Sequence, residues 1–150
     1  VHVDSATAPD FVVSLRWSDG GPTGAPGSQI SDLGDTSPKK GNHASLSPYD
    51  MRNTLVAAGP DFRKGITDPL PSSSMDVAPT ILWILGYGDE AAYMDGRVLG
   101  EALTGEAPAL RSLNMQRLTV RRGLWSQYLE VSEVNGVRYL EGGNGGIVGN

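Results

Sequence analysis

The stretch "NMQRLTVRRGLWSQYLEVSEVNGVRYLEGG", Asn114 to Gly143, carries the clearest structural signal in the chain. Apolar and polar residues alternate through "NMQRLTVRRG", "LWSQYLEVSEV" and "VRYLEGG", the period-two pattern of strands with one buried face. Asn135-Gly136 stands between the last two runs, and these residue types favour the tight turn of a hairpin. Residues 112–142 are therefore expected to form an antiparallel unit of two or three strands. A hairpin alone is marginal in water, so this unit must pack on what precedes it. The ending "GGNGGIVGN" is expected to be flexible or to make a tight turn. It lacks the Gly-Lys-Ser/Thr end and the following helix of a phosphate loop.

Towards the N-terminus the pattern changes. "DFVVSLRW" (Asp10 to Trp17) and "NTLVAAG" (Asn53 to Gly59) are short β-branched or apolar runs, expected as buried strands. Gly59-Pro60 ends the second, because proline cannot donate to a ladder. Between them, 18–48 is almost all turn chemistry, and loops of that length are usually functional or disordered. "MDVAPTILWILGYGD" predicts a short helix packed on a sheet. Asp76 is its N-cap, Pro79 falls in the first turn, Ile81, Leu82, Ile84 and Leu85 give an apolar stripe, and Gly86 is the stop. "GRVLGEALTG" (Gly96 to Gly105) reads as a short helix or turn. Trp17, Trp83 and Trp125 are expected in the core.

Composition narrows the function classes. A chain of 150 residues is sized for one domain. Its net charge of −5, with only the short basic runs Lys39-Lys40 and Arg121-Arg122, weighs against nucleic acid or an anionic membrane as partner. No run has the apolar length of a membrane span. Cysteine is absent, which removes disulfides and thiolate chemistry. There are two histidines, His2 and His43, and no Gly-x-Ser-x-Gly elbow, so a nucleophilic triad has little to draw on. Asp19, Asp32, Asp35 and Asp50 lie in or near the long loop and read first as turn formers. On spacing alone His43 is a surface loop residue, since a metal site needs three or four convergent ligands.

A resemblance adds to this. "GNHASLSPYDMRNTLVAAGPDF" (Gly41 to Phe62) resembles the segment that carries the last metal-binding histidine of the alkaline phosphatase superfamily, in its type I phosphodiesterase/nucleotide pyrophosphatase branch. "MDVAPTILWILG" (Met75 to Gly86) is similar to the helix that follows it there and in sulfatases. "YMDGRVLGEAL" (Tyr93 to Leu103) resembles the stretch after that. The blocks stand in the family's order within Asp10 to Leu103.

The resemblance implies an α/β fold (α+β as a fragment). Residues 10–105 would form the C-terminal part of an alkaline-phosphatase-like sheet, and 112–142 an antiparallel extension packed on it. It implies that His43 ligates one of two divalent ions, usually zinc, at a site that hydrolyses small phosphate or sulfate esters. Two such ions stabilise the attacking and leaving oxygens. The glycine expected after the histidine is Ala44 here. The family's Thr or Ser nucleophile and its Asp-His ligand pair have no counterpart in 1–42, so no catalytic residue is assigned. The expectation is a C-terminal portion of a larger hydrolase, inactive alone, that associates with the remainder of the enzyme or with itself. A periplasmic or secreted parent fits this. The alternative is a non-catalytic structural or interaction domain that keeps part of the fold.

Overall fold

The computed structural model describes Ala8, 10–20, 26–29 and 45–148. Its dominant feature is a three-stranded antiparallel sheet of β3 (Leu113–Arg122), β4 (Trp125–Val134) and β5 (Val137–Ile147), in the order β3-β4-β5. Both connections are two-residue turns. Gly123 takes φ +59° in the first; Asn135 and Gly136 take φ 51° and 88° in the second, the pair of left-handed residues that a right-twisted hairpin requires. The β4–β5 register shifts between Glu130 and Val131: Val131 pairs with Leu140 and Glu130 with Gly142, leaving Glu141 as the extra residue of a bulge.

Before the sheet come a two-residue pairing of β1 (Trp17–Ser18) with β2 (Ser28–Gln29) and four short helical elements. They are α1 (Pro48–Met51), α2 (Val77–Ile84), α3 (Gly88–Ala91) and a 3₁₀ turn at Gly100–Ala102. A further 3₁₀ turn, Ser74–Asp76, leads into α2, and Gly86 at φ +85° stops it. The architecture is mixed α and β at a coarse level. Among the described residues no helix is long and apolar enough to cross a membrane.

The core is small and half polar. Ala91, Leu99, Leu103, Val134 and Tyr139 are buried together with Asp76, Thr80, Arg97 and Ser132. Pairing registers put Ser132, Val134 and Tyr139 on one sheet face, which turns towards the helical part. The opposite face carries Leu118, Val120, Trp125, Leu129, Leu140 and Ile147, all exposed.

Several expectations are corrected. Residues 11–16 form no strand, and Phe11, Val12 and Val13 are more than 80% exposed; only Trp17–Ser18 pairs. Residues 53–58 likewise have no ladder partner among the described residues, and Val56 is 81% exposed. An apolar run favours burial, but a strand also needs a neighbour to receive its hydrogen bonds. The stripe on α2 is not its buried side: Ile81 and Leu85 are exposed, and the helix buries Pro79 and Thr80 instead. Trp125 is exposed on the open face rather than in the core. Within the ending expected to be flexible or a tight turn, residues 142–147 are strand, part of β5; Gly149 and Asn150 lie outside the described residues. Gly143 and Gly145 serve there as space. A Cβ would lie 2.8 Å from Leu129 Cδ2 at the first and 2.9 Å from Trp125 Cζ2 at the second, so these larger side chains lie over them.

Candidate functional site

The polar heart of the molecule starts at a turn. Ser73 Oγ accepts the Met75 N–H at 3.2 Å, and the Ser73 N–H donates back to Asp76 Oδ2 at 2.7 Å, a reciprocal capping box. This fixes Asp76, which is fully buried. Its Oδ1 then accepts the Arg97 backbone N–H at 2.8 Å and the Tyr139 hydroxyl at 3.1 Å. Asp76 was expected to cap α2 with its side chain; the carboxylate instead ties the turn before α2 to the loop at 97 and to β5. Thr80, one turn into α2, donates to the Asp76 carbonyl at 2.7 Å and accepts the Leu99 N–H at 3.0 Å.

Arg97 extends the network. Its Nε donates to Tyr139 Oη at 3.1 Å, its Nη1 and Nη2 clamp Glu101 at 2.8 and 2.6 Å, and Nη2 also reaches the Pro71 carbonyl at 2.9 Å. The guanidinium fork and a carboxylate four residues on make the bidentate geometry that holds a buried cation. Gly96 permits the approach. A Cβ there would fall 2.1 Å from the Met75 carbonyl oxygen, so no side chain fits.

The electrostatics follow from burial and pairing. Burial, then the charge of Asp76, pushes the Tyr139 phenol well above its ordinary range, against the pull of Arg97. For Glu101 burial opposes the charge, but the hydrogen bonds from Arg97 outweigh it and hold the carboxyl below its usual value. Burial and the neighbouring Glu101 raise Asp68, against a hydrogen bond from the Leu70 N–H. The phenol of Tyr139 donates to Asp76 while accepting from Arg97, and Asp76 is filled by three donors. The cluster uses its own hydrogen-bonding capacity and works as a clamp between α2, the 96–101 loop and the sheet.

His43, the expected metal ligand, lies outside the described residues, as do His2, Asp32, Asp35 and Ala44. The segment after it is firmly placed. Leu46 accepts the Gly143 N–H at 2.8 Å on the outer edge of β5, and its own N–H donates to Ser14 Oγ at 3.2 Å. Ser47 caps α1, and buried Ser45 donates its hydroxyl to Asp50. Trp17 Nε1 donates to the Gly143 carbonyl at 2.7 Å, the Asn144 side chain brackets the Trp17 backbone, and Trp17 meets Tyr49 edge-on. These contacts shield the outer edge of β5 around Gly143 and Asn144.

Trp17, Asp19, Pro48, Tyr49 and Arg52 line a cleft of about 500 Å³ here. The charge of Asp19 raises the Tyr49 phenol. Asp50 is taken by Ser45, and among the described residues no three His, Cys, Asp or Glu side chains group as a metal site. The described residues therefore do not by themselves make a metal site. A smaller cleft of about 190 Å³ lies on the inner sheet face between Arg52, Met115, Arg117, Glu130, Ser132 and Glu141. Among the described residues the buried Ser132 Oγ and Glu141 Oε1 have no hydrogen-bond partner.

Sequence reasoning missed Arg97, Glu101 and Tyr139. Arg97 and Glu101 stand four apart, and Tyr139 holds an inward position of its strand; neither signal says that they meet. No family model, curated protein or solved structure matches the chain.

Proposed function

We propose that this chain is a C-terminal segment of a metal-dependent phosphodiesterase- or phosphatase-type hydrolase of the alkaline phosphatase superfamily, with the type I phosphodiesterase and sulfatase frame as its nearest resemblance. In this reading it contributes His43 as one zinc ligand, and the remaining ligands and the nucleophile come from the rest of the enzyme. Its substrates are small phosphate or sulfate esters.

One observation carries the proposal. Asp76 and Thr80 come from one block that resembles the family, Gly96 and Arg97 from the next, and they interlock in a single buried cluster, with the Arg97 N–H 2.8 Å from Asp76 Oδ1. Such residues at such spacing are a cooperative unit rather than a chance string. The segment from Ser45 onward, which belongs to the first block, Gly41 to Phe62, is anchored to β5 through Leu46 and Gly143.

The test is a zinc titration of the chain followed on the imidazole resonances of His2 and His43, beside an assay with a chromogenic phosphodiester and sulfate ester in zinc or manganese. His43 is expected to respond at lower zinc than His2, with no turnover by the chain alone. Equal response of the two histidines sinks the ligand assignment; turnover that disappears in His43→Ala sinks the assignment of an inert piece.

A second reading, a non-catalytic interaction domain, is favoured by the exposed apolar face of Leu118, Val120, Trp125, Leu129, Leu140 and Ile147. A soluble surface rarely leaves so many large apolar side chains adjacent without a partner.

A further inference from the structure

We propose that the cleft on the inner face of the sheet binds a small zwitterionic amino acid, with the ammonium group held by Glu141 and Ser132 and the carboxylate by Arg52. The cleft measures about 190 Å³, room for a ligand of a few heavy atoms. It lies where the β4–β5 register shifts. Glu141 is the extra residue there, between Leu140 opposite Val131 and Gly142 opposite Glu130. Bulges re-aim side chains beside functional sites. This one brings a second carboxylate into a cleft that already holds Glu130.

Hydrogen-bond accounting separates the wall of the cleft from its free groups. Glu130 Oε1 accepts from both Nε and Nη2 of Arg117, and that guanidinium lies 4.2 Å over the Tyr128 ring. This ion pair is closed on itself. Three groups are left over among the described residues. Glu141 Oε1 and Ser132 Oγ are buried and have no partner, and Ser132 is buried completely. The Arg52 guanidinium has neither an ion pair nor a hydrogen bond. Unmet buried polar groups are rare, because each costs free energy until something supplies its bond. A buried acceptor and hydroxyl that share a cleft with a free cation suit a ligand that donates at one end and accepts at the other.

The charges select the class of ligand. Arg52 and Arg117 balance Glu130 and Glu141, so a bare ion of either sign meets no net opposite charge. A zwitterion meets one free group of each sign. An ammonium has three donors, enough for Glu141 Oε1 and Ser132 Oγ together, and a carboxylate suits the fork of Arg52. Met115 stands directly opposite Ser132 on the same face and is largely exposed. It is the unbranched side chain that turns aside to admit the ammonium, and it offers a small ligand side chain an apolar neighbour. The proposal is independent of the hydrolase reading, which rests on His43 and not on this cleft.

The test is a titration of the isotope-labelled chain with L-alanine, followed on backbone amide resonances, with propylammonium and propionate as the two half-ligands. L-Alanine is expected to shift Ser132 and Glu141 saturably, at a concentration roughly tenfold or more below either half-ligand. Arg52→Ala, at an exposed position, should weaken L-alanine by about tenfold and leave propylammonium no weaker. Glu141→Gln should weaken L-alanine and leave propionate no weaker. Ser132→Ala removes a hydroxyl without a partner, so its melting temperature should not fall while L-alanine binding weakens. No saturable shift at tens of millimolar L-alanine overturns the proposal. So does a half-ligand that binds as tightly as L-alanine, or a response confined to Trp17 and Tyr49.

Discussion

Tyr139 Oη lies 3.1 Å from Asp76 Oδ1, joining the first part of β5 to the turn before α2 across sixty-three residues of chain. The same phenol accepts from Arg97 Nε at 3.1 Å. One hydroxyl thus links the sheet to both parts of the helical segment. Buried polar groups arranged this way are costly to break singly, because each leaves a partner unsatisfied.

Removing the hydroxyl should therefore loosen the sheet from the helices. Tyr139→Phe is expected to cost about 1–3 kcal/mol in urea unfolding. Asp76→Ala should cost more, about 3–5 kcal/mol, since the Ser73 and Arg97 N–H groups and the phenol all lose their acceptor. Equal effects of the two would show that Asp76 is not the hub.

Stability should fall at high pH. Burial and Asp76 raise Tyr139 above its ordinary 10.0, so the folded state keeps a proton that the unfolded state loses. The contribution is complete below that ordinary value and declines as pH climbs past it towards the folded value. Unfolding midpoints measured from pH 8 to 11 should drop, and the drop should be smaller in Tyr139→Phe.

At the acid end the sign reverses for Glu101. Arg97 holds it below its ordinary 4.5, so its contribution is present above that value and is lost as pH falls towards the folded one. Asp68, raised in the fold, changes in the opposite direction and offsets part of this loss. Glu101→Gln should flatten the acid arm of the stability curve while lowering stability at pH 7.

Gly96 and Gly105 make a matched pair. A Cβ at Gly96 meets the Met75 carbonyl at 2.1 Å, whereas one at Gly105 meets nothing within 4 Å. Gly96→Ala is expected to destabilise by about 3 kcal/mol or more, and Gly105→Ala to stay within about 0.5 kcal/mol. Thermal melts of both variants check this.

Local signals were legible where they were self-contained. Asn135-Gly136 forms its turn because both residues accept positive φ, and the alternation around it placed the strands. Gly86 stopped α2 for the same kind of reason. The apolar runs at 11–16 and 53–58 misled because composition records a preference for burial and says nothing of a neighbour. The glycines of β5 misled in the opposite sense. They looked like a loose end, and their missing side chains make room for Leu129 and Trp125. Of the candidate site, Asp76 was visible as a cap, but its partners Arg97 and Tyr139 were not.

By itself the sequence determined the Asn135-Gly136 turn, the strand period and the helix boundary at Gly86, since each depends on φ/ψ preferences and side-chain alternation over a few residues. Only the tertiary structure decided which charges became partners and which sheet face the helical part covers. Those outcomes depend on distances between segments tens of residues apart, and a hydrogen bond such as Tyr139 to Asp76 exists only once both ends are packed.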